Sequence, residues 1–373
     1  MRRIFFWAHF GMGLAAGVFI LLMSVTGVLL TYEPQMVEAA RNAAVESAAD
    51  AEPLSLDQIA AAAEIAGAAP GNTLILPRDP SHAVTLSKGR RETLLLDPYT
   101  GSVLSEAGAG TEAFFSRVER VHRWLAFTGG RNTAGAALND GANLLFGLLL
   151  LSGAVLWWPK RWKWPIVKTQ LFFRRGLPNA KARHYNWHHV LAVWAFIPLM
   201  LIIVSGVVLS YGWANRLVYA AYGETAGQRQ QAPVKEAATA SFDAAPAKLS
   251  VLAEQATEGF GNWQRLSITL PEPDADRVSM MVDWGNGVQA SKQRALILAR
   301  DGSGLIGVPA ASTASSGQKA RRFLRFVHTG EIYGFIGQTI AGLASLASVV
   351  LVYTGISLAI RRLARMQRAA KRY

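Results

Sequence analysis

The sequence predicts an α-helical membrane protein with four transmembrane helices from a tandem duplication and two small α+β domains on one side of the bilayer. Three observations carry this prediction. Hydrophobic residues make up 51% of the 373-residue chain and charged residues only 17%, where about a quarter is usual for soluble domains. Four stretches lack Asp, Glu, Lys and Arg: 4–32, 141–159, 185–215 and 332–360, of 29, 19, 31 and 29 residues. About 20 residues at 1.5 Å rise cross the hydrocarbon core, so each is long enough to span. Finally, the net charge of +13 is unevenly placed. Segments 1–8, 159–184 and 361–373 hold two, eight and six basic residues and no acid, which leaves the rest of the chain at −3.

Basic collars beside apolar runs are the positive-inside signature. A nucleic-acid binder would spread its charge over a folded face, so nucleic acid is excluded as a partner and membrane lipid expected. The first apolar stretch is too long for the h-region of a signal peptide and reads as retained. The expected order is transmembrane helix 1 over 1–32, an outer domain over 33–135 ending in a helix that carries His122, and helix 2 over 136–160. A basic cytoplasmic loop over 161–184 follows, then helix 3 over 185–215, a second outer domain over 216–326, helix 4 over 327–361 and a cytoplasmic tail over 362–373. Both termini are expected inside. "LWWPKRWKW" and "RHYNWHH" suit the headgroup layer.

In the first outer segment, "SLDQIAAAAEIAG" starts at a Ser55 cap and keeps helical periodicity to Gly67. "NTLILP", "AVTLS" and "ETLLLDPYTGSVLSE" read as strands, the last bent at the 97–101 turn. The second segment opens on an Ala/Gln-rich linker. "PAKLSVLAEQATEG" then reads as a helix, and "WQRLSITLP", "RVSMMVDWG" and "RALILARDGSGLIG" as strands.

The first and third apolar stretches align. His9, Thr26, Gly27 and Tyr32 recur as His188, Ser205, Gly206 and Tyr211, each 179 residues later. "ERVHRWLAFTGG" before the second span corresponds to "RFVHTGEIYGF" before the fourth, which sets His122 opposite His328. Span, outer domain, histidine and span thus occur twice.

A lone His on an apolar helix is more often structural than a ligand, yet an ionisable residue inside a membrane is a functional candidate. The duplication places His9 and His188 at one depth, near the cytoplasmic surface, and His122 and His328 at another, just outside. Two imidazoles from facing helices are the axial ligand set of six-coordinate haem iron. With no cysteine in the chain, disulfides, iron–sulfur clusters, thiolate zinc and covalent c-type haem are excluded. Two non-covalent b-type haems are expected, against structural or proton-relay histidines. Gly27 and Gly206 follow their histidines by five turns, about 27 Å, and with Gly153 and Gly355 would leave room for a flat macrocycle or simply let helices approach. His189 points about 100° from His188; the repeat favours His188. His184 reads as interfacial and His82 as a solvated loop residue. "GMGLAAG" at 11–17 has the wrong spacing for a dinucleotide fingerprint.

Nearly the whole chain resembles the PepSY-associated transmembrane-helix family, and within it the ferric-siderophore reductases of the ferrioxamine type. The carriers are "AHFGMGLAAG…SVTGVLL", "DPYTGSVL", "VHRWL", "NWHHVLAVW…VSGVVLSY" and "VHTGEIYGFIGQ". The pattern departs at Ala192, where glycine commonly follows "H-x-V-L", and the second outer unit has "DWGNG" and "RDGSG" in place of a second "DPYTG". The resemblance implies periplasmic PepSY domains, the bacterial inner membrane, and b-type haem iron held by His9, His122, His188 and His328. It implies an oxidoreductase that passes electrons to a ferric siderophore, since siderophores hold Fe(III) far more tightly than Fe(II). No flavin or nicotinamide motif lies in the collars, so the donor would be external, quinol or a cytosolic reductase. Trp124, Arg131, Trp284 and Tyr333 are candidates for the docking surface, or interfacial anchors. Two other readings stay open: a cytochrome b561-like quinol or ascorbate electron carrier, and a non-enzymatic membrane protein whose PepSY domains regulate a peptidase or sensor.

Overall fold

The computed structural model describes residues 1–46, 51–89, 92–227, 245–307 and 314–371. In chain order its helices and strands are α1 (Arg2–Leu29), α2 (Glu33–Asn42), α3 (Leu56–Ile65), β1 (Thr73–Pro77), β2 (Val84–Ser87), β3 (Thr93–Leu96), α4 (Ala109–Trp124), α5 (Ala134–Trp157), α6 (Trp164–Leu171) and α7 (Ala180–Ser210). There follow α8 (Gly212–Ala220), α9 (Leu249–Thr257), β4 (Arg265–Thr269), β5 (Arg277–Asp283), β6 (Gln293–Ala299), β7 (Leu305–Gly307), α10 (Ser316–Thr329) and α11 (Gly334–Ala370). The elements fall into two compact units, one of residues 1–33, 114–228 and 316–373 and one of residues 34–113 and 229–315.

The first unit is a bundle in which α1 and α7 each pack between α5 and α11. These four helices carry the apolar runs and are long enough to cross a membrane. Their polarity is inverted relative to a soluble bundle. On α1 the residues at 14, 18, 22, 25 and 29 are Leu, Val, Leu, Val and Leu, and all five are exposed. An outward apolar stripe at helical spacing suits hydrocarbon and would be costly in water. The inward faces hold Ala16, Ile20, Ala142, Leu150, Leu199, Ile203, Ala344 and Leu351. Small residues let the backbones approach, and the Ser24 and Ser348 hydroxyls meet at 2.7 Å.

Two short amphipathic helices, α4 and α10, lead into the second and fourth spans. Leu125 and Ala126 adopt left-handed backbone (φ 52° and 63°), with the Ala126 N–H donating back to the Arg120 carbonyl at 3.2 Å. The chain therefore leaves α4 within four residues of His122. Gly330 (φ 80°) makes the corresponding exit two residues after His328. A Cβ there would collide with the Gly337 backbone, and one at Gly337 with Gly330, so both positions require glycine.

The second unit is built on one antiparallel sheet of seven strands in the order β3-β2-β1-β4-β5-β6-β7. The sequence suggests two separate α+β domains, but β1 of the first segment pairs with β4 of the second, from Thr73↔Thr269 to Pro77↔Arg265. The reason is the edge: separate sheets of three and four strands would each leave an unpaired ladder at that strand. Ser55 caps α3 as expected, its hydroxyl accepting from the Gln58 N–H and the Gln58 side chain accepting from the Ser55 N–H. Ile59 and Ala63 of α3 cover Leu74, Val84, Leu86 and Leu96. Leu249, Leu252 and Ala256 of α9 cover Leu266, Ile268, Val278, Met280 and Val282. Asp57 joins the two helices by accepting from the Leu249 N–H at 2.8 Å and from the Ser250 hydroxyl.

The "DPYTG" turn is structural. Asp97 Oδ1 accepts the Tyr99 and Thr100 N–H groups at 2.7 and 3.0 Å, Oδ2 accepts the Glu46 N–H at 3.1 Å, and Gly101 takes φ 72°. "DWGNG" is built alike: Asp283 accepts the Gly285 N–H at 2.6 Å and the Gln293 amide at 2.8 Å. Most of the expected Ala/Gln-rich linker, from 228 to 244, lies outside the described residues.

Leu252 is fully buried beneath this sheet. Leu252→Ala is expected to destabilise the unit by about 2–5 kcal/mol through lost transfer energy and an unfilled cavity, read as a lowered midpoint in urea denaturation of the detergent-solubilised protein.

Candidate functional site

The four membrane helices and their lead-in helices bring four histidines together two by two. His9 of α1 and His188 of α7 meet with ring centroids 6.4 Å apart and planes at 88°. His122 of α4 and His328 of α10 meet at 6.5 Å and 64°. Among the described residues no group of three or more His, Asp or Glu is placed to hold a metal ion by itself.

Each imidazole is held on the side away from its partner by a hydroxyl from a neighbouring span. His9 Nδ1 lies 3.0 Å from Ser152 Oγ, and His188 Nδ1 3.0 Å from Thr354 Oγ1. His122 Nδ1 lies 2.8 Å from Thr26 Oγ1, and His328 Nδ1 3.1 Å from Ser205 Oγ. The direction of these bonds follows from proton counting. A hydroxyl has one proton, and each of these four directs its own toward carbonyls one turn back on its helix. Thr26 reaches Leu22 O at 2.7 Å, Ser152 Leu148 O at 2.7 Å, Ser205 Leu201 O at 2.6 Å and Thr354 Val350 O at 2.7 Å. The hydroxyl oxygens are therefore acceptors toward histidine, and Nδ1 carries the proton. Two carbonyls confirm the assignment, since they only accept: Leu351 O is 3.1 Å from His188 Nδ1 and Ile202 O is 2.8 Å from His328 Nδ1. With Nδ1 protonated, the lone pair of every ring is on Nε2, the nitrogen left without a partner on its own helix pair. Burial holds His122 down at about 4, with the neighbouring His328 adding to the effect, and burial likewise lowers His328. Both are neutral imidazoles at pH 7, as metal ligation needs.

The glycines expected to leave space for a cofactor are at the predicted depths, but the ring of a histidine fills the space beside each. A Cβ on Gly153 would lie 3.4 Å from His9 Cε1, and one on Gly355 3.3 Å from His188 Cε1. A Cβ on Gly27 would lie 3.3 Å from Ser345 Oγ and 3.6 Å from His122 Cε1, and one on Gly206 3.1 Å from Asn143 Nδ2 and 3.2 Å from His328 Cε1. Ring and macrocycle would compete for the same slot, and the ring holds it.

The other histidines are spent on other contacts, although the His189 ring lies 6.3 Å from that of His188. His189 turns its Nδ1–H to the Tyr185 carbonyl at 2.9 Å and stacks on the Tyr185 ring. His184 is buried, not merely interfacial: its Nδ1 meets Ser357 Oγ at 2.8 Å and its ring contacts Tyr353, which pins α7 to α11. His82 lies partly exposed, 3.9 Å from Glu38.

Of the four docking candidates, Arg131 is engaged: its guanidinium donates to Leu209 O at 2.6 Å and Ser210 O at 3.0 Å, the last carbonyls of α7. Trp124 lies under the Arg123 guanidinium at 4.5 Å, and Trp284 stacks on Phe260 at 5.3 Å within the sheet unit. Tyr333 is 67% exposed. Trp124, Arg131 and Tyr333 belong to the bundle and Trp284 to the sheet unit. Sequence reasoning assigned no role to Thr26, Ser152, Ser205 and Thr354, although a usable signal was present: a Ser/Thr–Gly dipeptide occurs once in each of the four membrane helices.

Fold and paired histidines define a multi-pass membrane protein with a four-helix bundle and an extramembrane α+β unit. The family described as the PepSY-associated TM region matches residues 6–362, and the chain belongs to that family. Among curated proteins none matches it.

Arg131 neutralises the orphan carbonyls at the C-terminal end of α7, where the helix dipole is negative. Arg131→Ala is expected to cost about 1–2 kcal/mol while leaving both histidine pairs in place, read as a lowered melting temperature in detergent.

Proposed function

We propose that the protein is a di-haem b-type membrane reductase that passes electrons from the cytoplasmic side or the quinol pool to a ferric siderophore in the periplasm, releasing Fe(II). The observation that carries the reading is the pair of cross-bundle imidazole couples with their Nε2 lone pairs free. An imidazole nitrogen binds a first-row metal at about 2.0–2.1 Å and lies about 1.2 Å from its ring centre, so two rings on opposite sides of one iron have centroids about 6.4–6.6 Å apart. The observed 6.4 and 6.5 Å fit that separation. Two ligands per site suit iron that brings its other four nitrogens in a macrocycle. Buried polar atoms without a partner support this further. Trp157 Nε1, one turn beyond Gly153, is a donor of the kind a propionate carboxylate takes.

His9 and His188 would hold one haem and His122 and His328 the other; each haem, when bound, supplies a one-electron carrier. The chain's own part is to fix the tautomer of each ligand, exclude water with its apolar interior, and set two sites along one bundle. The basic collars orient the His9–His188 end to the cytoplasm and the His122–His328 end outward. The correspondence of the two clasped helix pairs, α1 with α5 and α7 with α11, supports the duplication. The net reaction moves one electron from the donor to chelated Fe(III), leaving Fe(II) and a weakly held metal. Tyr333, exposed five residues after His328, is the docking candidate with its side chain free to meet a chelate.

Pyridine haemochrome assay of purified protein is expected to give two haems b per chain, and one or none would overturn the reading. His188→Ala is expected to remove one haem and His189→Ala none. Near-perpendicular imidazole planes leave the iron orbitals that they perturb nearly degenerate, so strongly anisotropic low-spin ferric spectra are expected by electron paramagnetic resonance. The greater anisotropy belongs to the His9–His188 site. Stopped-flow reoxidation of dithionite-reduced protein by ferric siderophore, but not by quinone alone, separates the reductase from a quinol electron carrier.

A further inference from the structure

The four membrane helices contain four Ser/Thr–Gly dipeptides: Thr26–Gly27 in α1, Ser152–Gly153 in α5, Ser205–Gly206 in α7 and Thr354–Gly355 in α11. Each faces one of the four paired histidines and no two face the same one. The hydroxyl receives Nδ1–H and the glycine beside it leaves the slot for the Cε1 edge of the same ring. Ordinary packing does not require this matching. Four other span glycines face aliphatic or threonine side chains: Gly13 meets Leu149, Gly17 meets Ile356, Gly147 meets Ile203 and Gly342 meets Thr31. A hydroxyl back-bonded to its own helix is common in apolar helices, and Ser24 is one, donating to Ile20 O at 2.7 Å. Yet Ser24 has no glycine after it and meets only Ser348. The clasps are also reciprocal. α5 holds the histidine of α1, while α1 holds His122, which precedes α5; α11 and α7 exchange His188 and His328 in the same way. Each helix pair therefore presents one pre-oriented imidazole at each end, and each site takes one imidazole from each pair.

We propose that these dipeptides are the positioning residues of the two redox centres: the hydroxyl fixes each ligand's tautomer and sets the potential of its iron, and the glycine sets the ring's approach. This rests on the two-haem reading. Donation from Nδ1–H to an acceptor shifts electron density onto the ring, which makes Nε2 a stronger donor and favours ferric over ferrous iron. Removing the hydroxyl is therefore expected to raise the midpoint potential of that centre alone, and by less at His188 and His328, where Leu351 O and Ile202 O still accept from Nδ1–H.

The test is spectroelectrochemical titration of purified, haem-loaded protein. Thr354→Val and Thr26→Val keep side-chain shape and remove the hydroxyl. Thr354→Val is expected to move the potential of the His9–His188 centre upward, and Thr26→Val that of the His122–His328 centre. Thr26→Ser should restore the wild-type value, and Ser24→Ala, which removes a buried hydroxyl touching no histidine, should move neither. Gly355→Leu and Gly206→Leu are expected to expel the facing ring, each with loss of one haem from the corresponding site. Wild-type protein that binds no haem overturns the two-haem reading and the proposal with it. Haem-replete Thr354→Val and Thr26→Val with unmoved potentials, or Ser24→Ala shifting them as far, overturn the positioning role while the two-haem reading stands.

Discussion

An imidazole buried in an apolar bundle must spend its N–H on something, because an unsatisfied donor in such surroundings costs on the order of 1–3 kcal/mol. In this protein each takes a serine or threonine hydroxyl that has already given its only proton to its own helix, joined at His188 and His328 by a backbone carbonyl. That arrangement admits one tautomer, with Nδ1 protonated against the neighbouring span and the lone pair on Nε2. The rest of the bundle depends on it. The helix phases must bring hydroxyl and histidine to the same depth, a glycine must follow the hydroxyl, and two such clasps must oppose one another for the rings to lie 6.4 or 6.5 Å apart.

Order at the His122–His328 end is harder to secure than at the other, because these two residues lie on short lead-in helices. Three devices tie them down. The left-handed pair Leu125–Ala126 and the left-handed Gly330 turn the chain sharply after each histidine. Asn139 donates to the His122 carbonyl at 2.8 Å, fastening the end of α4 to α5. Arg131 closes the end of α7, just beyond the Ser205–Gly206 clasp. Each device places a polar group where a helix terminus would otherwise leave backbone unpaired.

The extramembrane unit obeys a different constraint. Its two chain segments are far apart in sequence, and each has one helix to cover one face of its strands. Pairing β1 with β4 converts two marginal sheets into one of seven strands, with the cores under α3 and α9 joined through Leu56, Leu76 and Ala68. The aspartates at Asp97, after β3, and Asp283, at the end of β5, each accept a backbone N–H two residues on.

Much of this was legible in the sequence, because the signals are local or periodic. Span length and basic collars need only hydropathy and charge. The Ser55 cap, the strands and the 97–101 turn follow from short-range chemistry. The 179-residue offset pairs His9 with His188 without any coordinates. Preference for His188 over His189 also follows, since adjacent helical residues point about 100° apart. What the sequence left undetermined was every relation between side chains on different helices. Which hydroxyl meets which imidazole, that His184 is buried against Ser357, that Arg131 is spent on α7, and that β1 seeks β4 depend on helix phase and strand partner. Those are set by packing over hundreds of residues, and no local pattern encodes them.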